Sequence, residues 1–229
     1  MGQPLLFYAV IALSAMHVSQ TTAPSARPVA EMYHTRCIRY LISLDSGDPL
    51  IEQGVALATT CLLRSYEILA EGHDPNRHLK GAYSLVSHSL ASELQRNFFD
   101  DPSGGLLHSG FWNYLREDIT FSLFGHYPLK IDLDHIPKLR NVSSDQDHLN
   151  AISLLLGRII NIAFGPTPEK AGHDWEVALS YIKDWLSDLP AHCEPFSRAK
   201  VPPFSGLPTA HMLKPCHGNT LSCDAPIRN

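Results

Sequence analysis

Long basic runs are missing from this 229-residue chain: it has 18 Lys and Arg against 23 Asp and Glu, with no three basic residues in succession. A chain that grips phosphate backbones through its own surface needs more positive charge than this, so direct nucleic-acid binding by this chain is excluded from the expectation. No C-x-x-C pair occurs, and the five cysteines are odd in number. Cys37 and Cys61 fall within apolar helical patterns, where a reduced thiol acts as a small hydrophobe, so the usage suits a reducing compartment rather than a disulfide scaffold. There is no G-x-S-x-G, no cysteine with a nucleophile signature and no Gly-rich phosphate loop, so no catalytic residue is assigned. Strand-like alternation is nearly lacking, which argues against a sheet protein.

The longest apolar run, Leu5 to Val18, is too short for a transmembrane helix, which needs about 20 residues. No Lys or Arg precedes Arg27, so the basic start of a signal peptide is missing as well. The expectation is a buried core helix, with no membrane contact; the sequon Asn141-Val142-Ser143 would matter only in a secreted chain. Gly2 is no myristoylation site, because position 6 is leucine.

What the sequence has is helical punctuation. Pro4 opens a first helix that ends near Gln20, and Pro28 a second, with Val29, Tyr33, Cys37, Tyr40, Leu41 and Leu44 as its apolar positions. Asp48-Pro49 reads as an N-cap and first-turn proline for a third helix running to Gly72, and Asp74-Pro75 repeats the device for a fourth, with Leu79, Ala82, Val86, Leu90 and Leu94 on one face. A loop at 100–105 precedes a fifth helix from Leu106 to Gly125, burying Leu107, Phe111, Tyr114, Leu115 and Ile119. Residues 126–144 form an irregular crossing, in which Leu129, Ile131 and Leu133 alternate as extended chain does. A sixth helix spans Asp145 to Phe164, and a seventh starts at Asp174 with Trp175, Ala178, Ile182, Trp185 and Leu189 as its stripe. Seven of the seventeen prolines lie in the last forty residues, which makes that end loop-like. The expected fold class is thus all-α: about seven packed helices as antiparallel hairpins, a domain over 1–190 and a proline-rich irregular tail over 191–229.

Polar clusters carry little chemistry by spacing alone. Asp100-Asp101 is followed by Pro-Ser-Gly-Gly, a turn that lacks the third carboxylate of an aspartate-rich magnesium helix. Glu67 and Glu71 share a helix face and read as solvated. His73 and His78 lack a third ligand, and Asp132, Asp134 and His135 read as an exposed loop. His211, Cys216, His217 and Cys223 lack the close cysteine pair of a zinc module, and His88 lies between two serines that point elsewhere. No metal and no cofactor is expected. The most informative stretch is Phe111 to Asp134, which sets Arg116 and Asp118 among large aromatics, where each must find a partner or reach water. Tyr114, Arg116 and Asp118 are therefore the candidates for a ligand pocket or an orienting network.

The same stretch, Phe111-Trp112-x-x-Leu115-Arg116-x-Asp118-Ile119 with its polar-Pro-Leu continuation, resembles the fungal-specific regulatory domain of zinc binuclear-cluster transcription factors. Other pieces resemble it in order: the helix from Pro4 ending in Ala15-x-His17, Tyr33-His34-x-x-Cys37, Leu62-Leu63-Arg64-x-Tyr66-Glu67, His78-Leu79-x-Gly81-Ala82, Asn161-x-x-Phe164-Gly165, and Trp175 through Trp185. The similarity spans about residues 4–195. It implies an all-α effector domain without its own DNA-binding module, a truncated regulator in that sense, which modulates fungal gene expression, that of specialised (secondary) metabolism included. A protein partner or a second copy and a small-molecule effector are the expected partners, and the nucleus or else the cytoplasm is the expected location. The alternative from the residues is an all-helical enzyme of specialised metabolism, of terpenoid cyclase or isomerase type, working through Tyr114, Arg116 and Asp118.

Overall fold

The computed structural model describes residues 4–72, 77–91, 105–134, 136, 139, 142–165, 171–193, 197–198 and 211–212. Its helices are α1 (Pro4–Thr21), α2 (Arg27–Ile42), α3 (Pro49–Glu52), α4 (Val55–Glu71), α5 (Arg77–Ala91), α6 (Gly105–Gly125), α7 (Asp145–Phe164) and α8 (Ala171–Ser187), with short 3-10 turns at Pro24–Ala26 and Ala191–Cys193. Beyond them Ser197–Arg198 pairs antiparallel with His211–Met212. The architecture is all-α, as the punctuation predicts.

The helix boundaries have local causes. Asp48 caps α3 by accepting from Leu50 N at 2.8 Å, with Pro49 in the first turn. Gly72, at φ 71°, ends α4 in the left-handed conformation that glycine adopts without a Cβ penalty. Ser144 starts α7 through a capping box: its side chain accepts from Asp147 N, and the Asp147 carboxylate accepts from Ser144 N. The expected single helix from Asp48 to Gly72 is two, because Gly54 takes φ 74° between α3 and α4. A Cβ on Gly54 would run into the backbone of Leu107 on α6, so the break lies where the chain passes close to α6.

Packing puts α1 against α2 and α4 along a stripe of Leu5, Ala9, Ala12 and Met16, which meets Ala30 and Cys37 of α2 and Val55, Leu63 and Tyr66 of α4. The expected core helix buries that stripe alone; Phe7, Val10 and Val18 face outward. By length and composition it is also apolar enough to cross a membrane, unlike any other helix among the described residues. In α2 the buried positions are Ala30 and Cys37, while Val29 and Tyr40, expected inside, are exposed. The shift follows from α2 resting on α1 through its small residues.

The main core gathers Leu57, Ala82, Val86, Phe111, Trp112, Tyr114, Leu115, Ile119, Leu154 and Ile160 from α4 to α7, together with Leu129, Ile131, Leu133 and Ile136 of the crossing. Close approach is built in: a Cβ on Gly110 would press on the Leu57 side chain, and one on Gly157 on Leu133. In α8, Ala178 is buried and Trp185 half-buried, but Trp175 is exposed. Of the fourth-helix stripe, Ala82 and Val86 are buried; the side chains of Leu79, Leu90 and Leu94 lie outside what is described.

Candidate functional site

An extended segment inside a helical protein has no strand beside it, so its buried backbone groups must be satisfied by side chains. That problem sets the chemistry of the segment 126–144. Leu129, Ile131, Leu133 and Ile136 point into the core, while Lys130, Asp132 and Asp134 point out, the alternation of an extended chain. Helices α6 and α7 supply the missing partners. Asp118 of α6 is fully buried, and its Oδ2 accepts from Lys130 N at 2.9 Å and from Ile131 N at 3.1 Å. Ser122, one turn on, donates to Pro128 O at 3.3 Å. From α7, Asn161 Oδ1 accepts from Leu129 N at 2.8 Å, and Arg158 donates to Ile136 O at 2.8 Å.

Burial raises the Asp118 carboxyl above the usual carboxylate range, although the two backbone donors and the nearby Lys130 pull the other way. Tyr114 lies one helical turn before it on the same face. The phenol is held well above its ordinary value, by burial first and then by the charge of Asp118. Among the described residues neither the Tyr114 hydroxyl nor Asp118 Oδ1, both buried, has a hydrogen bond of good geometry, yet the two side chains are close enough to perturb one another.

Arg116 points to the other flank of α6. Its guanidinium donates to Asn150 Oδ1 of α7 at 2.6 Å and to Trp112 O at 3.2 Å, and burial lowers its pKa. Asn150 Oδ1 also accepts from Gln146 at 2.9 Å. The same end of α7 is fixed to α8, because Trp185 donates its indole N–H to His148 O at 3.0 Å. Arg64 of α4 pairs with Glu117 of α6 and lies over the Phe121 ring at 5.2 Å, which ties the first helices to this centre.

Between the crossing, α7 and α8 lies a cleft of about 710 Å³. Its wall includes Leu129, Ile131, Asp132, Arg158, Asn161 and Tyr181. Tyr114, Arg116 and Asp118 do not line it. Asp118 holds the backbone of two residues that do, so its place is behind the wall, and Arg116 braces α6 against α7. Ser122, Asn150 and Arg158 carry no signal in the sequence beyond the rule that a polar group on a core-facing helix side must meet a partner, and Asn161 is marked only as part of the family resemblance.

Other clusters are placed differently from the reading by spacing. Glu67 is buried rather than solvated, and it faces His78 of α5 and His34 of α2. Asp132 and Asp134 are exposed; Asp132 accepts from Asp134 N at 2.8 Å in a local turn. His73, Asp100, Asp101, His135, Cys216, His217 and Cys223 lie outside the described residues, as do the side chains of His88 and His211. Burial pushes the Cys37 thiol up to about 11, and burial with the charge of Glu117 pushes Cys61 up to about 12, so neither is a poised nucleophile.

With this geometry in hand the chain was compared with known proteins. Residues 1–122, just over half the chain, match the model of the fungal specific transcription factor domain. The chain belongs to that family. The matched part of the fungal transcription factor domain runs from α1 to Ser122 in α6, so it includes Tyr114, Arg116 and Asp118; the crossing, α7 and α8 follow it. No curated protein and no solved structure matches the chain. Membership in the fungal transcription factor domain family gives a regulatory role in general terms.

Proposed function

We propose that this chain is an effector module of fungal transcription control, acting in the nucleus through contact with another protein and tuned by a small molecule in the α7–α8 cleft. The family match over residues 1–122 carries the proposal. The protein contact is assigned to the outer face of α1 and α2. Phe7, Val10 and Val18 of α1 and Val29, Met32 and Tyr40 of α2 are exposed there, and each set keeps the i, i+3, i+11 spacing of one helix face. Such a face fits a second copy of the chain or another regulator that carries the same domain.

The cleft supports the effector part. Its volume falls in the range of about 300–1,000 Å³ usual for small-molecule sites, and apolar Leu129 and Ile131 stand beside polar Arg158, Asn161 and Tyr181. A ligand there would press on a segment that Asp118 and Asn161 hold to α6 and α7, which links the cleft to the family-matched helices. Genes of specialised metabolism are the proposed targets. No observation favours the cyclase or isomerase alternative.

Sedimentation velocity tests the contact. The wild-type chain should associate with itself or with another regulator bearing this domain, and Phe7→Glu should abolish that while keeping its helix content. A wild-type chain that stays monomeric alone and in the mixture, at every concentration up to its solubility limit, would sink the proposal.

A further inference from the structure

Three helices far apart in sequence each send one polar side chain to the same buried point: His34 from α2, Glu67 from α4 and His78 from α5. Glu67 Oε1 is 3.1 Å from His78 Nε2 and 3.7 Å from His34 Nε2, and one donor atom from each residue lies within 4.8 Å of the other two. The Glu67 side chain is only 8% exposed, His78 11% and His34 21%. A carboxylate buried that deeply is costly unless positive charge meets it.

The rings are held in place rather than merely near. His34 stacks on Tyr66 with centroids 4.3 Å apart and 14° between the planes, and it stands edge-on to His78 at 6.3 Å and 84°. Both Nε2 atoms lie near the same carboxylate oxygen, at 3.1 and 3.7 Å. Two imidazoles and a carboxylate suit zinc and its d-block neighbours, whereas magnesium and calcium prefer all-oxygen shells. A tetrahedral ion with bonds of about 2.0–2.2 Å sets its ligand atoms roughly 3.3–3.5 Å apart. Two of the three edges are already close to that, at 3.1 and 3.7 Å. One ligand atom from each of the three residues lies within 4.8 Å of the others, and His34 is the most exposed of the three.

We propose that His34, Glu67 and His78 bind one zinc-class divalent ion, with water as the fourth ligand on the partly exposed His34 side, and that the ion staples α2 and α5 to α4. His78 failed the test of sequence spacing because it lacked a third ligand nearby; the fold brings two from other helices. A second group, Asp145, His192 and Cys193, also meets the distance condition, but His192 is 62% exposed and already pairs with Asp145 at 2.6 Å, so it serves as the control.

The test uses the full chain, free of any affinity tag, in equilibrium dialysis against zinc(II), with thermal unfolding followed in parallel. The expected result is one ion per chain with a dissociation constant below about 1 µM, and a Tm higher by about 5–10 °C at a hundredfold excess over that constant. Affinity should fall more than about 100-fold in Glu67→Gln and in His78→Ala and hold in His192→Ala, since loss of a direct ligand outweighs loss of an outer contact. Where a variant does not fold, cobalt(II) bound to the wild-type chain decides, with visible d–d bands of four- or five-coordinate nitrogen and oxygen ligation expected. Zinc binding weaker than about 100 µM, uptake that survives in folded Glu67→Gln, uptake that follows His192, or a six-coordinate cobalt spectrum would each overturn the site.

Discussion

Replacing Asp118 by alanine removes the acceptor shared by Lys130 N and Ile131 N and leaves the crossing segment with unmet backbone donors. Ile131 is buried, so losing its acceptor costs about 1–3 kcal/mol; Lys130 lies nearer water, and its amide costs less. Against this, folding no longer buries a carboxyl whose pKa is raised, which offsets part of the loss. The net is about 1–3 kcal/mol, or roughly 2–12 °C in Tm for a chain of this size. Asp118→Asn keeps a side-chain carbonyl to accept these bonds and should cost about half as much. The pH dependence has a definite sign. A carboxyl with a raised folded pKa contributes its linked stability in full below the unfolded value of about 3.9, and that stability is lost as pH rises through the folded value. The deficit of Asp118→Asn relative to wild type should therefore be largest in acid and shrink toward neutrality. Urea unfolding followed by far-UV circular dichroism at several pH values reads all three quantities. An alanine variant within about 0.5 kcal/mol of wild type, an asparagine variant as unstable as the alanine one, or a deficit that grows toward neutral pH would refute the reasoning.

Gly54→Ala should cost more than about 3 kcal/mol, because it forces a left-handed residue to carry a Cβ into the Leu107 backbone; its urea midpoint, or its failure to give soluble protein, checks this. Ser144→Ala removes the α7 cap and should lower stability by about 1 kcal/mol, with amide hydrogen exchange fastest in the first turn of α7. Trp185→Phe keeps an aromatic ring but loses the bond to His148 O, so α8 should exchange its amides faster than α4 or α6 does, at a cost of about 1 kcal/mol.

Caps and breakers made the helices legible. Asp48-Pro49, Gly72 and Gly125 act locally, and their effect is written in a few neighbouring residues. The irregular crossing was legible for the same reason, through its alternation and its prolines. Non-local choices were not. Gly54 splits a helix at a point where it lies against the backbone of Leu107, fifty-three positions away, a contact that no adjacent residue signals. Glu67 reads as solvated from its own helix because the histidines that face it belong to α2 and α5. Tyr114, Arg116 and Asp118 were found because charges among aromatics demand partners, but which partners is a question of packing. Asp118 turned to the crossing and Arg116 to Asn150, on opposite flanks of one helix.

A reporter measurement in a fungal host tests the regulatory role most directly. The chain is fused to an unrelated DNA-binding domain, and transcription is read from a promoter carrying the matching site. The wild-type fusion should change reporter transcript several-fold, and the Gly54→Ala fusion, whose fold should be lost, should not change it. Reporter transcript at the level of the DNA-binding domain alone, with the wild-type fusion present in the nucleus at a comparable amount, would contradict the regulatory role.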